Sequence, residues 1–292
     1  MAKPFRFGVT AAYAPTRAAW VLIARQAEEL GYSTLLIPDR TSVGILAPIP
    51  ALAIAAAATS SLRVGSFVFC NGYRHPVLLA REAATLDLLT DGRFELGLGA
   101  GVSPAESEQM GIPFAGAGAR VAQLEEAIQA IKQLFTSDVV DFNGIYYTIS
   151  GLKGNIKPAQ KPHMPILVAG AGEKMLKLAA READIIAIGS AMAADQRGVT
   201  LDQKVRWVEE AAGDRFPQLE LSQTIYDVDI VDSPTPPSPQ QGGWAIPRRP
   251  LRTEEAVADL MEQRDRYGFS YLQIQMSQMQ NFAPVAAQLA GK

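Results

Sequence analysis

Eight strand-like runs, each followed by a helical pattern, set the tightest limit on what this chain folds into. The strand runs are 5–10, 33–37, 62–69, 93–98, 165–169, 184–188, a segment within 219–231, and 271–275. The helical patterns are 17–30, 48–60, 76–89, 120–135, 173–182, 201–212, 253–267 and 282–289. Punctuation supports several of them. Gly31 stops the first helix, Pro76 opens the third and Asp91-Gly92 closes it, and Thr253 with Glu254 and Glu255 starts the seventh. Alternating β and α elements signal a parallel sheet covered by helices. Eight units in 292 residues suit an α/β fold of one particular kind, a single (β/α)8 TIM barrel with insertions filling the whole chain, since that fold takes about 250 residues. The competing architecture is an open doubly wound sheet, but the glycine fingerprint that would follow its first strand is missing. Two segments exceed a minimal barrel. Residues 139–149 alternate around Asn143-Gly144 and predict a β-hairpin. Residues 232–250 hold six prolines and Gly242-Gly243, and predict an extended loop or lid carrying Trp244, Arg248 and Arg249.

Composition removes several function classes. Twenty-seven basic and 30 acidic residues leave a net charge of -3, so no basic footprint exists for nucleic acid or an anionic membrane. The longest uncharged stretch, 41–62, is broken by Pro48 and Pro50 and reads as a buried alanine-rich helix rather than a membrane span. Cys70 is the only cysteine; an internal disulfide and a cysteine zinc cluster are both excluded, and a reducing cytoplasm is the expected compartment.

Active sites of (β/α)8 enzymes lie at the C-terminal ends of the strands. Here those ends read Thr10, Asp39, Val68 to Cys70, Gly99 to Gly101, Gly170 to Gly172, Gly189-Ser190, Tyr226, and Gln273 to Gln275. No lysine is present for a Schiff base, Asp39 has no second carboxylate for glycoside hydrolysis, and His75 and His163 are too few for a histidine metal site. No metal is expected. So few acids and bases point to chemistry supplied by a bound cofactor. Two glycine-rich strand ends, Gly97-Leu98-Gly99-Ala100-Gly101 and Ala169-Gly170-Ala171-Gly172, suit close approach of backbone to phosphate, although glycine also serves plain turn geometry there.

Several motifs together resemble the bacterial luciferase-like flavin and deazaflavin oxidoreductases. They are Arg63-Val64-Gly65-Ser66-Phe67-Val68, Arg74-His75-Pro76, Ala83-Ala84-Thr85-Leu86-Asp87, and Gly92 to Gly99. Asp141 to Tyr147 resembles the family's hairpin, and Pro165 to Gly170 with Ala183-Asp184 its later strand and helix. The resemblance implies a (β/α)8 barrel whose strand ends hold a flavin or deazaflavin ring. It implies a non-proline cis peptide at the end of strand three, here Phe67-Val68, backing the ring. By the same resemblance Asp39 lies near the ring, Cys70 and Asn71 face its edge, and Ala171 and Gly172 form the phosphate turn. Ser66, Phe67, Val68, Cys70, Gly99, Ala100, Gly101 and Gly170 complete the expected cofactor contacts. Sugar-phosphate-oxidising members carry a histidine where this chain has Arg40 and a glutamate where it has Val102, which argues against that reaction.

The resulting expectation is an enzyme: an oxidoreductase moving a hydride between coenzyme F420 and a small organic substrate, as a cytoplasmic homodimer. Asp39, Arg40, Tyr73 and Cys70 are the expected catalytic residues, with Tyr13 a further candidate proton donor. The alternatives are an FMN-dependent luciferase-like monooxygenase, a non-catalytic flavin-binding barrel, and an unrelated phosphate-binding isomerase. Flavin-using relatives often place an arginine between the glycines after strand four, where this chain has Ala100. The missing cation predicts that F420 binds at least about tenfold tighter than FMN unless another arginine, such as Arg74, replaces it. Arg40, Arg74 and Lys174 are the candidate cations for the acidic F420 tail.

Overall fold

The computed structural model describes residues 3–41, 44–189, 198–236 and 247–292. The chain runs through β1 (Arg6–Thr10), α1 (Arg17–Glu29), β2 (Thr34–Ile37), α2 (Pro48–Ala57), β3 (Arg63–Ser66) and β4 (Phe69–Cys70). It continues with α3 (Pro76–Leu89), β5 (Phe94–Gly99), α4 (Pro104–Gln109), α5 (Ala117–Thr136), and the strands β6 (Val139–Asn143) and β7 (Thr148–Lys153). Then come β8 (Ile166–Gly170), α6 (Glu173–Glu182), β9 (Ile185–Ile188), α7 (Leu201–Ala212), β10 (Glu220–Ile225) and β11 (Val228–Ile230). The last elements are β12 (Arg249–Leu251), α8 (Thr253–Tyr267), β13 (Phe269–Gln275) and α9 (Met279–Leu289).

The parallel strands close on themselves: β1 lies between β2 and β13, and the order proceeds through β10, β9, β8 and β5 back to β3. β3 and β4 both pair with β5. They are one barrel strand interrupted at Phe67-Val68, whose peptide bond is cis. Counted so, the nine segments make an eight-stranded (β/α)8 barrel, and every strand run in the sequence corresponds to one of them. The strands read as continuous apolar runs because both faces are covered. Phe7, Leu35, Phe94, Leu96 and Phe269 pack outward against helices, and Leu36, Leu167, Ile185, Ala187 and Tyr271 form a second core inside the barrel. The alanine-rich part of the uncharged stretch folds as expected: Pro48 opens α2, buried Ala51, Ala55 and Ala56 bring it close to its neighbours, and Trp20 donates its indole N–H to the Ala51 carbonyl at 2.7 Å. No helix of the described residues is long and apolar enough to cross a membrane.

The N-terminal end of the barrel is plugged by charge. Arg6 bonds Glu95 at 2.6 Å and Glu220 at 2.7 Å, Arg63 bonds Glu95 at 2.8 Å, and the Arg6 guanidinium stacks on Tyr271 at 3.5 Å. The opposite, C-terminal end is left for a site.

Three details differ from the sequence reading. The hairpin forms, but Asn143 pairs with Thr148, so its tip is a four-residue loop rather than a tight Asn-Gly turn. The Glu126 carboxylate of α5 decides this by accepting the N–H groups of Ile145, Tyr146 and Tyr147. The short helix α4 was not anticipated. In the Pro-rich segment, β12 returns to pair in parallel with β11 outside the barrel. Residues 237–246, Trp244 among them, lie outside the described residues.

Candidate active site

A cavity of about 890 Å³ opens at the C-terminal ends of the strands, within the usual range for small-molecule sites. Asp39, Arg40, Phe67, Val68, Cys70, Tyr73, Gly99, Ala100, Gly101, Gly170, Ala171 and Gly172 all line it. Ser66 does not. Its hydroxyl accepts from the Gly97 N–H and donates to the Gly97 carbonyl, both at 2.9 Å, and so ties β3 to β5 behind the cavity wall. Tyr13 is half exposed and Asn71 donates to the Tyr147 hydroxyl at 3.3 Å; neither lines the cavity. Ser190 lies outside the described residues.

The polar partners revise the roles expected of several residues. Asp39 accepts the Cys70 N–H at 3.1 Å and a two-pronged guanidinium contact from Arg74 at 2.5 and 3.2 Å. This carboxylate therefore fixes the chain just after the Phe67-Val68 break, and Arg74 is engaged there rather than free for a cofactor tail. Arg40 grips Glu106 through Nε at 2.7 Å and Nη2 at 2.5 Å. The hydrogen bonds that Arg40 donates to the Glu106 carboxylate hold its pKa above the ordinary value. Arg40 is thus not a proton donor: a guanidinium already stays charged in proteins, and this pairing strengthens that. Glu106 is the cavity carboxylate that the sequence reading missed. The resemblance puts a carboxylate at position 102, but Val102 is exposed, and the acid arrives from α4, whose first turn is capped by the Ser103 hydroxyl. Burial raises the Cys70 thiol, and likewise the Tyr73 hydroxyl, so both are protonated at neutral pH.

The two glycine motifs part company. A Cβ on Gly97 would run into the Ser66 carbonyl oxygen, and one on Gly99 would sit 2.7 Å from Val68 Cγ2. These glycines make room for the neighbouring strand's break rather than for phosphate. Gly101 has φ +84°, a left-handed turn that glycine favours. Gly172 has nothing within 4 Å of its Cβ position, so the Ala171-Gly172 turn stands open where α6 begins.

Two cations of the cavity have no carboxylate partner among the described residues: Lys174 in the first turn of α6, and Arg120 of α5. Arg120 gave no sequence signal. Its Nε donates to the Ala100 carbonyl at 3.1 Å and its Nη1 to the Ala115 carbonyl at 2.5 Å, and it stacks on Phe114 at 3.8 Å. The lid expectation is not met by the described part of the Pro-rich segment. Arg248 is bound to Asp229 and Arg249 to Asp227 and Asp259, and neither arginine lines the cavity.

The sequence profile of the luciferase-like monooxygenases matches residues 2–225. The chain belongs to the luciferase-like monooxygenase family. It is 31% identical over 184 residues to an uncharacterised protein of Mycobacterium tuberculosis, a match covering 56% of this chain and 62% of that relative. It is 32% identical over 236 residues to an F420-dependent glucose-6-phosphate dehydrogenase of Kineococcus radiotolerans, covering 75% and 68%. Among solved structures, the coenzyme F420-dependent tetrahydromethanopterin reductase of Methanopyrus kandleri superposes with a TM-score of 0.80 at 17% identity over 98% and 99% of the two chains. The monooxygenase RslO1 of Streptomyces bottropensis gives 0.78 at 19% over 97% and 99%. At these identities the two structures speak to the fold: a luciferase-like (β/α)8 barrel.

Proposed function

We propose that this chain is an oxidoreductase that exchanges a hydride between coenzyme F420 and a small organic substrate, reducing an activated C=C, C=N or C=O bond. The observation that carries this reading is the pair of uncompensated cations, Arg120 and Lys174, on a mainly apolar cavity at the strand ends. Such a cavity fits a flat, phosphate-bearing ligand: Phe67, Val68, Ala169 and Ile188 offer apolar surface, and the open turn at Gly172 leaves space for the tail. The F420 dependence of the Kineococcus relative supports the choice of cofactor. When bound, the deazaflavin supplies the two-electron chemistry. The protein's own part is then limited. Its apolar wall keeps water out, Asp39 and Arg74 fix the backbone of Cys70, and the protonated Tyr73 hydroxyl and Cys70 thiol offer a proton to the substrate. Among the described residues the carboxylates lining the cavity are all paired, Glu106 with Arg40, Asp39 with Arg74 and Glu173 with Lys177, so none stands free to take a proton from an alcohol. That argues for reduction over sugar-phosphate oxidation.

An FMN-dependent monooxygenase is the second reading. Arg120 favours it, because it returns a guanidinium to the backbone of Ala100, where flavin-using relatives carry one. The expected preference for F420 over FMN loses its premise accordingly. Titrating the apo-protein with F420 and with FMN by fluorescence tests both readings. Micromolar or tighter binding of F420 (about -8 kcal/mol), with reoxidation of the bound reduced form by an added acceptor, is the expected result. FMN binding alone moves the assignment to the second reading. Binding without any turnover makes the chain a carrier, and binding of neither cofactor refutes both.

A further inference from the structure

We propose that Arg120 is the anchor for the cofactor's phosphate in this chain, a task that sequence position would have given to residue 100. The proposal rests on the reading of the cavity as a flavin or deazaflavin site, and it names the side chain that recognises the anion there. Among the described residues Arg40, Arg120 and Lys174 line this cavity and Arg74 stands beside it, and their partners separate these four. Arg40 is committed to Glu106 and Arg74 to Asp39, each through two guanidinium nitrogens. Lys174 is exposed on a flexible stem. Of these four, Arg120 is the one that is anchored and has no carboxylate partner among the described residues. Its Nε and Nη1 are bound to main-chain carbonyls, which carry no net charge, and Phe114 covers one face of the guanidinium.

That arrangement has a chemical consequence. A guanidinium has five N–H donors. The two carbonyls use one on Nε and one on Nη1, so Nη2 and the second Nη1 hydrogen remain for a ligand. Those three hydrogens suit two oxygens of one phosphate, the geometry in which arginine outperforms lysine. Because the carbonyls and Phe114 already fix the fork, little rotamer freedom is lost on binding. The first turn of α5 is built to allow this. It is made of Ala117, Gly118 and Ala119, and Ala117, Gly118 and Val121 line the cavity beside Arg120. The Arg120 N–H is bound to Gly116 at 3.1 Å, which sets the residue within the helix while its side chain reaches back to Ala100. A guanidinium thereby reaches the backbone of Ala100 from a residue 20 positions later.

The test compares ligands that differ only beyond the ring. FMN is paired with riboflavin, and F420 with its phosphate-free 8-hydroxy-5-deazaflavin core. Each is titrated by fluorescence against the wild type, Arg120→Gln and Arg120→Lys. Arg120→Gln is expected to weaken whichever phosphorylated form the wild type binds by about tenfold or more, and to leave its phosphate-free counterpart within about twofold. No loss, or an equal loss for both members of a pair, overturns the proposal, the second because it marks a purely structural side chain. If Arg120→Gln fails to fold by circular dichroism, Arg120→Lys decides on the same criterion, with a smaller loss of about threefold or more still confined to the phosphorylated form. If the wild type binds none of the four chromophores, the cofactor reading falls by itself. Arg120 is then judged with inorganic phosphate. Thermal stabilisation of the wild type that is absent in both variants upholds an anion site, and no stabilisation of the wild type overturns it.

Discussion

Tyr73 and Cys70 face the cavity as protonated groups because burial, the largest influence on each, penalises the anion. A proton donor works only while it holds its proton, and Tyr73 starts from an ordinary value of 10.0 that its surroundings push higher. Turnover that depends on it is therefore expected to stay level through neutral pH and to decline only above about pH 10. Tyr73→Phe is expected to lower kcat by about 100-fold with the cofactor dissociation constant unchanged. A pH profile falling with a midpoint near pH 8, or full activity in Tyr73→Phe, would assign the proton to another group. At this scale the sequence supplied residue types and little of their partnerships. Asp39 meets Arg74 across 35 positions and Arg40 meets Glu106 across 66. Nothing in local spacing announces either pair, and each changed the role of a residue that had been read as free.

Strand β5 shows how an element takes its composition from its neighbour. Its alternating Gly97 and Gly99 looked like a phosphate cradle in the sequence, because glycine at a strand end allows close approach of any backbone. What approaches is the Ser66 carbonyl at Gly97 and the Val68 side chain at both glycines. Gly97→Ala is expected to cost about 3 kcal/mol, since the Ser66 carbonyl is main chain and cannot rotate away. Gly172→Ala, with open space at the same atom, is expected to change stability by less than about 0.5 kcal/mol. Urea unfolding of the two variants checks this, and equal costs would show that packing against the break is not what selects glycine in β5. The hairpin of β6 and β7 teaches a similar lesson. Its existence followed from alternation, but its tip was shaped by Glu126 of another element.

The whole barrel separates stability from function along its axis. Arg6, Arg63, Glu95 and Glu220 join β1, β3, β5 and β10 at the N-terminal end, and the cavity occupies the other end. Desolvation alone would raise the Glu95 carboxyl, but Arg6 and Arg63 outweigh it and hold the group below the usual carboxylate range. Glu95→Gln would leave two guanidinium groups facing a neutral amide in a buried place. Breaking a buried pair in this way costs about 3–5 kcal/mol. The expected result is a large drop in the urea midpoint with ligand affinity at the far end unchanged at temperatures where the protein stays folded. A parallel loss of affinity would mean that the two ends are coupled.

Sequence alone determined the architecture, because the period of buried positions and the helix stops are local properties repeated eight times. Through resemblance it also led to the Phe67-Val68 cis peptide and to the strand ends that gather around one cavity. Only the tertiary structure decided what those residues do there. Ser66 turned to bind Gly97, Arg74 closed on Asp39, Arg40 was neutralised by a glutamate from α4, and Arg120 took a place near Ala100 that no motif marked. The physical reason is range. Secondary structure follows from neighbours a few positions apart, whereas ion pairs and hydrogen bonds form between whichever polar groups closure of the barrel brings within about 3 Å, and in these four contacts the partners are 20 to 66 residues apart.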